Sequence, residues 1–153
     1  MSVNSNIKQG VTNLIKYFHV VWNDRHWDGD YIYLLLHRKL ELKEKFFRSD
    51  NTHTLNSDET ADEIKLVKEA LNRLIEDDYL TEETKEYDEK YGHLDILIFK
   101  EAEGKNYSRR VETRPEEAVK VFREACDRAN KREDTDRKFV FNYMIDHIEG
   151  WWD

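Results

Sequence analysis

Hydrophobic residues recur along this chain at the spacing of helix faces. In about Ile7–Trp22 they stand at Val11, Leu14, Ile15, Phe18 and Val21 or Trp22, the rhythm of one helical stripe. Gly10 weakens the first turns of this helix. The polar run Asn23–His26 then connects to a second helix, expected from Asp28, a residue suited to an N-cap, to about Arg48. Its first half, Tyr31-Ile-Tyr-Leu-Leu-Leu36, is apolar on nearly every face. A helix apolar all round is buried all round, so this half is expected at the centre of the fold or of a subunit interface. After a polar linker over Ser49–Asn56, Ser57 offers the next cap, with Asp58 and Glu59 in the first turn where the helix dipole favours acids. Ile64, Val67, Leu71, Leu74 and Ile75 keep the helical rhythm to about Tyr79, the cleanest helix of the chain.

The pattern breaks down between Thr81 and Thr113. Leu94–Phe99 reads as a short strand or a buried helical turn, with no clear partner strand after it. Gly104 marks a turn in the polar stretch Glu101–Arg110. Pro115 suits the first position of a fourth helix, whose narrow apolar face is Ala118, Val121, Phe122, Ala125 and Ala129. Asp134 or Thr135 is expected to cap a last helix bearing Phe139, Val140, Tyr143, Met144, His147 and Ile148, which Gly150 ends as its C′ residue. The expected fold is mainly α: a helical bundle of four or five helices, with a small irregular or β excursion around 82–110, in a single domain over 1–153.

Composition agrees with helices, since five Gly and one Pro are too few for the turns of a sheet-rich fold. The net charge of −8 argues against general nucleic-acid binding, which needs a cationic footprint. Lone Cys126 forms no internal disulfide, no apolar run approaches a membrane span, and the polar start lacks a signal-peptide core. A cytoplasmic protein without a membrane partner is the expectation. The apolar run Tyr31–Leu36 and the small-residue face Ala118–Ala129 exceed what one monomer needs, which predicts a homo-oligomer.

The four tryptophans carry the most specific chemistry. The segment Trp22–Asp28 could hold a nucleotide-like anion: Trp22 and Trp27 offer rings to stack a base, Arg25 a phosphate clamp, and Asp24 or Asp28 an acceptor, with Arg38 one helix away. Alternatively it is a corner where Asp28 caps a helix and the tryptophans seal a core. The terminal Trp151-Trp152 pair is expected to dock on the first half of the second helix. The basic residues from Arg109 to Lys138 are interleaved with acids and read as a solvated, salt-bridged surface. Glu41, Glu44, Glu59 and Asp62 form two i, i+3 carboxylate pairs, a spacing that can hold Mg²⁺ and resembles the metal-binding arrangement of all-α nucleotide pyrophosphohydrolases. No histidine pair stands at i, i+4, and there is no phosphate-cradling glycine loop or dinucleotide fingerprint, so no cofactor is expected.

Asp24-Arg-His-Trp-Asp28 leading into the Leu-rich helix, Leu74-Ile-Glu-Asp-Asp-Tyr79, and the terminal Ile148-Glu-Gly-Trp-Trp-Asp153 form a set. Together they are similar to a group of small uncharacterised bacteriophage proteins that pair an Asp-Arg-x-Trp-Asp start with a Gly-Trp-Trp-Asp end. The resemblance implies a phage setting and transfers no functional residue. Three functions are therefore expected candidates. The first is a non-enzymatic phage accessory protein that binds a small anionic nucleotide-like ligand through Trp22, Asp24, Arg25, Trp27 and Arg38, and so counters host immune signalling. The second is an interaction module that inhibits a host protein. The third is a Mg²⁺-dependent nucleotide hydrolase.

Overall fold

The computed structural model describes residues 3–25, 27–92, 98–101, 108–111 and 114–151. The architecture is mainly α, as the periodicity predicts. Its long helices are α1 (Val3–Val21), α2 (Asp30–Phe47), α3 (Ser57–Glu76) and α6 (Glu116–His147), with short α4 (Tyr79–Glu83) and α5 (Lys85–Tyr91) between them. Strands β1 (Ile98–Glu101) and β2 (Ser108–Val111) pair antiparallel, Ile98 opposite Val111. Where one domain is expected, the residues gather into two compact units: Met1–Glu76 with Thr135–Asp153, and Asp77–Asp134. Among the described residues no helix is long and apolar enough to cross a membrane.

The first unit is organised by α3. Ala61, Ile64, Val67, Ala70, Leu71 and Leu74 are buried, one continuous face at helical spacing. It packs on α2, which contributes Leu40 and Phe47. Within one chain Tyr31–Leu36 is not the centre of the fold: those residues are half-buried and Ile32 is exposed. Near this half of α2 lie α1 and the Phe141 ring, 6.4 Å from that of Tyr33, which leaves part of the surface open. Asp28 is not the N-cap. Gly29 holds that position, and the Asp28 carboxylate accepts from the Asp30 N–H.

From Thr135 onward α6 belongs to this unit, with Val140 buried and Asp136 accepting from Nε and Nη2 of Arg73 at 2.8 and 2.6 Å. A 3₁₀ turn over Ile148–Gly150 then delivers Trp151 to the interior. Gly150 closes this turn, three residues beyond the end of α6, instead of ending the helix itself, and its backbone is not left-handed. Trp151 does dock, but on other partners than expected. Its indole N–H donates to Glu63 of α3 at 2.9 Å, and its carbonyl accepts from Lys43 in the second half of α2. Trp152 lies outside the described residues.

Within 82–110 the second unit holds the expected β excursion, strands β1 and β2, after a helical start. Glu82 and Glu83 close α4, and α5 follows at once, burying only Tyr87. A seven-residue helix is too short to display a period, so its sequence reads as irregular. Residues 94–97 of the candidate strand and the Gly104 turn lie outside the described residues. The partner strand is the charged Ser108-Arg-Arg-Val111, which has no apolar alternation to announce it. The two helices expected after Pro115 are one, because 130–138 is polar but contains neither Gly nor Pro to break it. Ala118, Ala125 and Ala129 are buried, and Tyr87 meets Phe122 edge-on at 5.3 Å. Arg128 and Arg132 both donate to Glu83, and Arg132 also to Glu82, the salt-bridged arrangement expected of the basic region.

Candidate functional site

The α1–α2 connection is built from local bonds. Asp24 N–H donates to Val21 and Asp28 N–H to Arg25, so the chain turns sharply after α1. The Arg25 guanidinium donates to the carbonyls of its own neighbours, Asn23 at 3.2 Å and Asp24 at 3.1 Å. Trp22 and Trp27 are 70% and 73% exposed, so neither seals a core. Trp22 rests on Phe18 with ring centroids 5.0 Å apart. Trp22, Asp24, Arg25 and Trp27 thus sit on the surface of the turn. Arg38 faces elsewhere.

Arg38 lines a cavity of about 320 Å³ with His19, Val20, Asn23, Tyr31, Leu34, His37 and Glu41. A second hollow of about 310 Å³ shares His37 and Glu41 and is completed by Lys68, Glu69 and Asn72 of α3. Arg38 Nε donates to the Lys16 carbonyl at 2.9 Å, which ties α1 to α2, and its Nη1 pairs with Glu41. Lys45 also pairs with Glu41, at 2.6 Å. Hydrogen bonds from Lys45 and Arg38 hold the Glu41 carboxyl down to about 2. Burial holds the His37 imidazole below its usual value, helped by Lys68 and opposed by Glu41. The sequence carried one signal of this cluster, the Arg38–Glu41–Lys45 spacing of i, i+3 and i+4. His37 lies on the same helix, whereas His19 and Asn23 come from α1 and the connection after it and have no such signature.

Both shifts act in one direction on stability. Each folded value is depressed, so each contribution is complete above the unfolded value and is lost as pH falls through the folded one. Acid should destabilise the protein first below 6.5, through His37, and again between 4.5 and about 2, through Glu41. Melting temperatures recorded against pH should lose the upper limb in His37→Gln and part of the lower limb in Glu41→Gln, the rest belonging to Glu44 and other depressed carboxyls. Profiles identical to the parent in both variants would contradict this assignment.

No family model, curated protein or solved structure matches this chain. The site is therefore read from its own geometry.

The four carboxylates considered for a metal do not converge. Glu41 is taken by Arg38 and Lys45, and Glu44 by Lys68 and Arg48. Burial would raise the Glu44 carboxyl, but Lys68 and Arg48 outweigh it and lower it. Arg48 also reaches Asp62 at 2.7 Å, and Glu59 is exposed in the first turn of α3. Among the described residues no three metal-type ligands stand together.

The feature that sequence reasoning missed is the orientation of α1. Val20 is its one buried apolar side chain among the described residues, and Ile7, Val11, Leu14, Ile15, Phe18, Val21 and Trp22 are all exposed. At 100° per residue these seven fall on the side opposite Val20. Leu14 and Ile15 are 69% and 71% exposed, values ordinary for surface lysines and unusual for a contiguous apolar stripe.

Proposed function

We propose that this protein is a non-enzymatic interaction module that works by burying the apolar side of α1 in another protein surface. The exposed stripe from Ile7 to Trp22 carries this reading. A monomeric soluble surface rarely presents so much contiguous apolar area unless something covers it. In the phage setting that the terminal and connecting motifs imply, the surface covered would belong to a host protein, met in the host cytoplasm and blocked by the contact. The test is affinity capture with the intact chain, followed by cross-linking to locate the contact. Leu14→Asp should remove the captured protein, and cross-links should fall on 7–22. Retention of every partner by that variant would overturn the reading.

The cavity beside Arg38 favours a second reading, a small anionic ligand. Its polar groups are His19, Asn23, Tyr31, His37, Arg38 and Glu41, the carboxylate being paired with Arg38 and Lys45, and the exposed Trp22 and Arg25 stand on the same connection as Asn23. Native mass spectrometry of co-purifying small molecules tests it. Arg38→Ala should then release the ligand. Arg25→Ala should leave it bound and change stability by less than about 0.5 kcal/mol, because that guanidinium bonds only exposed carbonyls of its own turn. Loss of the ligand in Arg25→Ala alone would return the site to the tryptophan turn.

A further inference from the structure

The spacing inside the α1 stripe points to what covers it. Ile7, Val11, Leu14, Phe18 and Val21 follow one another by 4, 3, 4 and 3 residues. This is a 3.5-residue repeat, the pattern that keeps one seam facing a partner helix along its length. Ile15 and Trp22 flank the seam on one side and widen it. We infer that, in the absence of a host surface, α1 pairs with α1 of a second copy of this chain, an inference that rests on the interaction-module reading: the stripe is covered by a copy until a host protein displaces it.

Charge favours a copy over a lipid surface, the other occupant open to an amphipathic helix. Membrane-surface helices carry many Lys and Arg beside the apolar face and bind anionic headgroups. Here Val3–Val21 contains two lysines and no acid, in a chain of net charge −8 that an anionic bilayer repels. The same near-neutral seam lets two copies approach without like charges meeting across it. Area agrees as well. Seven large side chains, each close to half exposed or more, present on the order of 800 Å² per copy, what each partner of a standard interface contributes. Two heptads are too few for an isolated coiled coil. This helix does not stand alone, since Arg38 and Val20 hold it on α2.

The experiment is sedimentation equilibrium of the full chain over the micromolar range. The parent should show twice 18.6 kDa, and Leu14→Asp with Phe18→Asp should show 18.6 kDa. Ile145→Asp alters another exposed apolar residue, on α6, and should leave the mass doubled. Hydrogen exchange of the unaltered chain gives a readout that does not depend on a variant folding: α1 amides should be protected at high concentration and lose protection on dilution. A constant 18.6 kDa in the parent overturns self-pairing. So does a doubled mass that survives both α1 substitutions. Sedimentation of a monomeric parent with phosphatidylcholine–phosphatidylserine vesicles would assign the stripe to lipid instead. A monomer that loses a captured protein on Leu14→Asp would overturn self-pairing and leave the interaction-module reading standing.

Discussion

Trp151→Ala is expected to lower stability by about 3–5 kcal/mol, the cost of truncating a fully buried Trp. In a domain of this size that is a fall in melting temperature on the order of 10 °C. Trp151 is 2% exposed, the largest of the fully buried side chains among the described residues. Two separate losses add. The ring leaves a cavity that the helices around it close only in part. The Glu63 carboxylate loses an N–H donor at 2.9 Å. Trp151→Phe separates them, because it restores much of the volume without the donor. It should recover the part of the loss that comes from the cavity, leaving a residue of about 1.5–3 kcal/mol for a hydrogen bond to a charged group. Thermal unfolding of the three proteins at neutral pH measures both. A melting temperature unchanged in Trp151→Ala would mean that the chain end is not held as described.

Leu71→Ala is expected to cost about 2–5 kcal/mol, as for a buried Leu whose cavity relaxes only in part. Leu71 lies in the middle of the α3 face, between buried Val67 and Leu74 and beside Ala70. Those neighbours belong to one rigid helix and move little to fill a void. Urea denaturation should show a lower midpoint with an unchanged slope, the sign of lost stability without a change in exposed area. Leu14→Ala, on the open stripe of α1, should shift the intramolecular transition by less than about 0.5 kcal/mol at concentrations where copies are apart. Equal costs at the two sites would contradict the burial that separates them.

The contrast between Leu14 and Leu71 shows what is legible in a chain. Both stand on stripes of the same quality, and the two helices were read with the same rule. Periodicity reports that a helix has an apolar face, since side chains three and four apart share a side. It does not report what covers that face. In α3 the face meets α2. In α1 the buried Val20 and the Lys16 carbonyl that Arg38 binds lie on one side, and the stripe is exposed on the other. The candidate site divides in the same way. Arg38, Glu41 and Lys45 are placed on neighbouring turns by spacing alone. That His19, Asn23 and Lys68 join them required the packing of three helices.

The mainly α class, the α3 face, the docking of the C-terminal Trp151 and the neutralised basic region follow from local rules: helical periods, few glycines, an amphipathic ring that needs partners, and interleaved charge. Tertiary structure alone decided that Trp151 meets Glu63 and Lys43 rather than the start of α2, that Trp22 and Trp27 stay exposed, and that 116–147 is one helix. The reason is physical. Local propensity is a sum over neighbours in sequence, whereas burial depends on which surfaces meet in space, and a polar stretch without Gly or Pro is helix or loop according to what packs against its two ends.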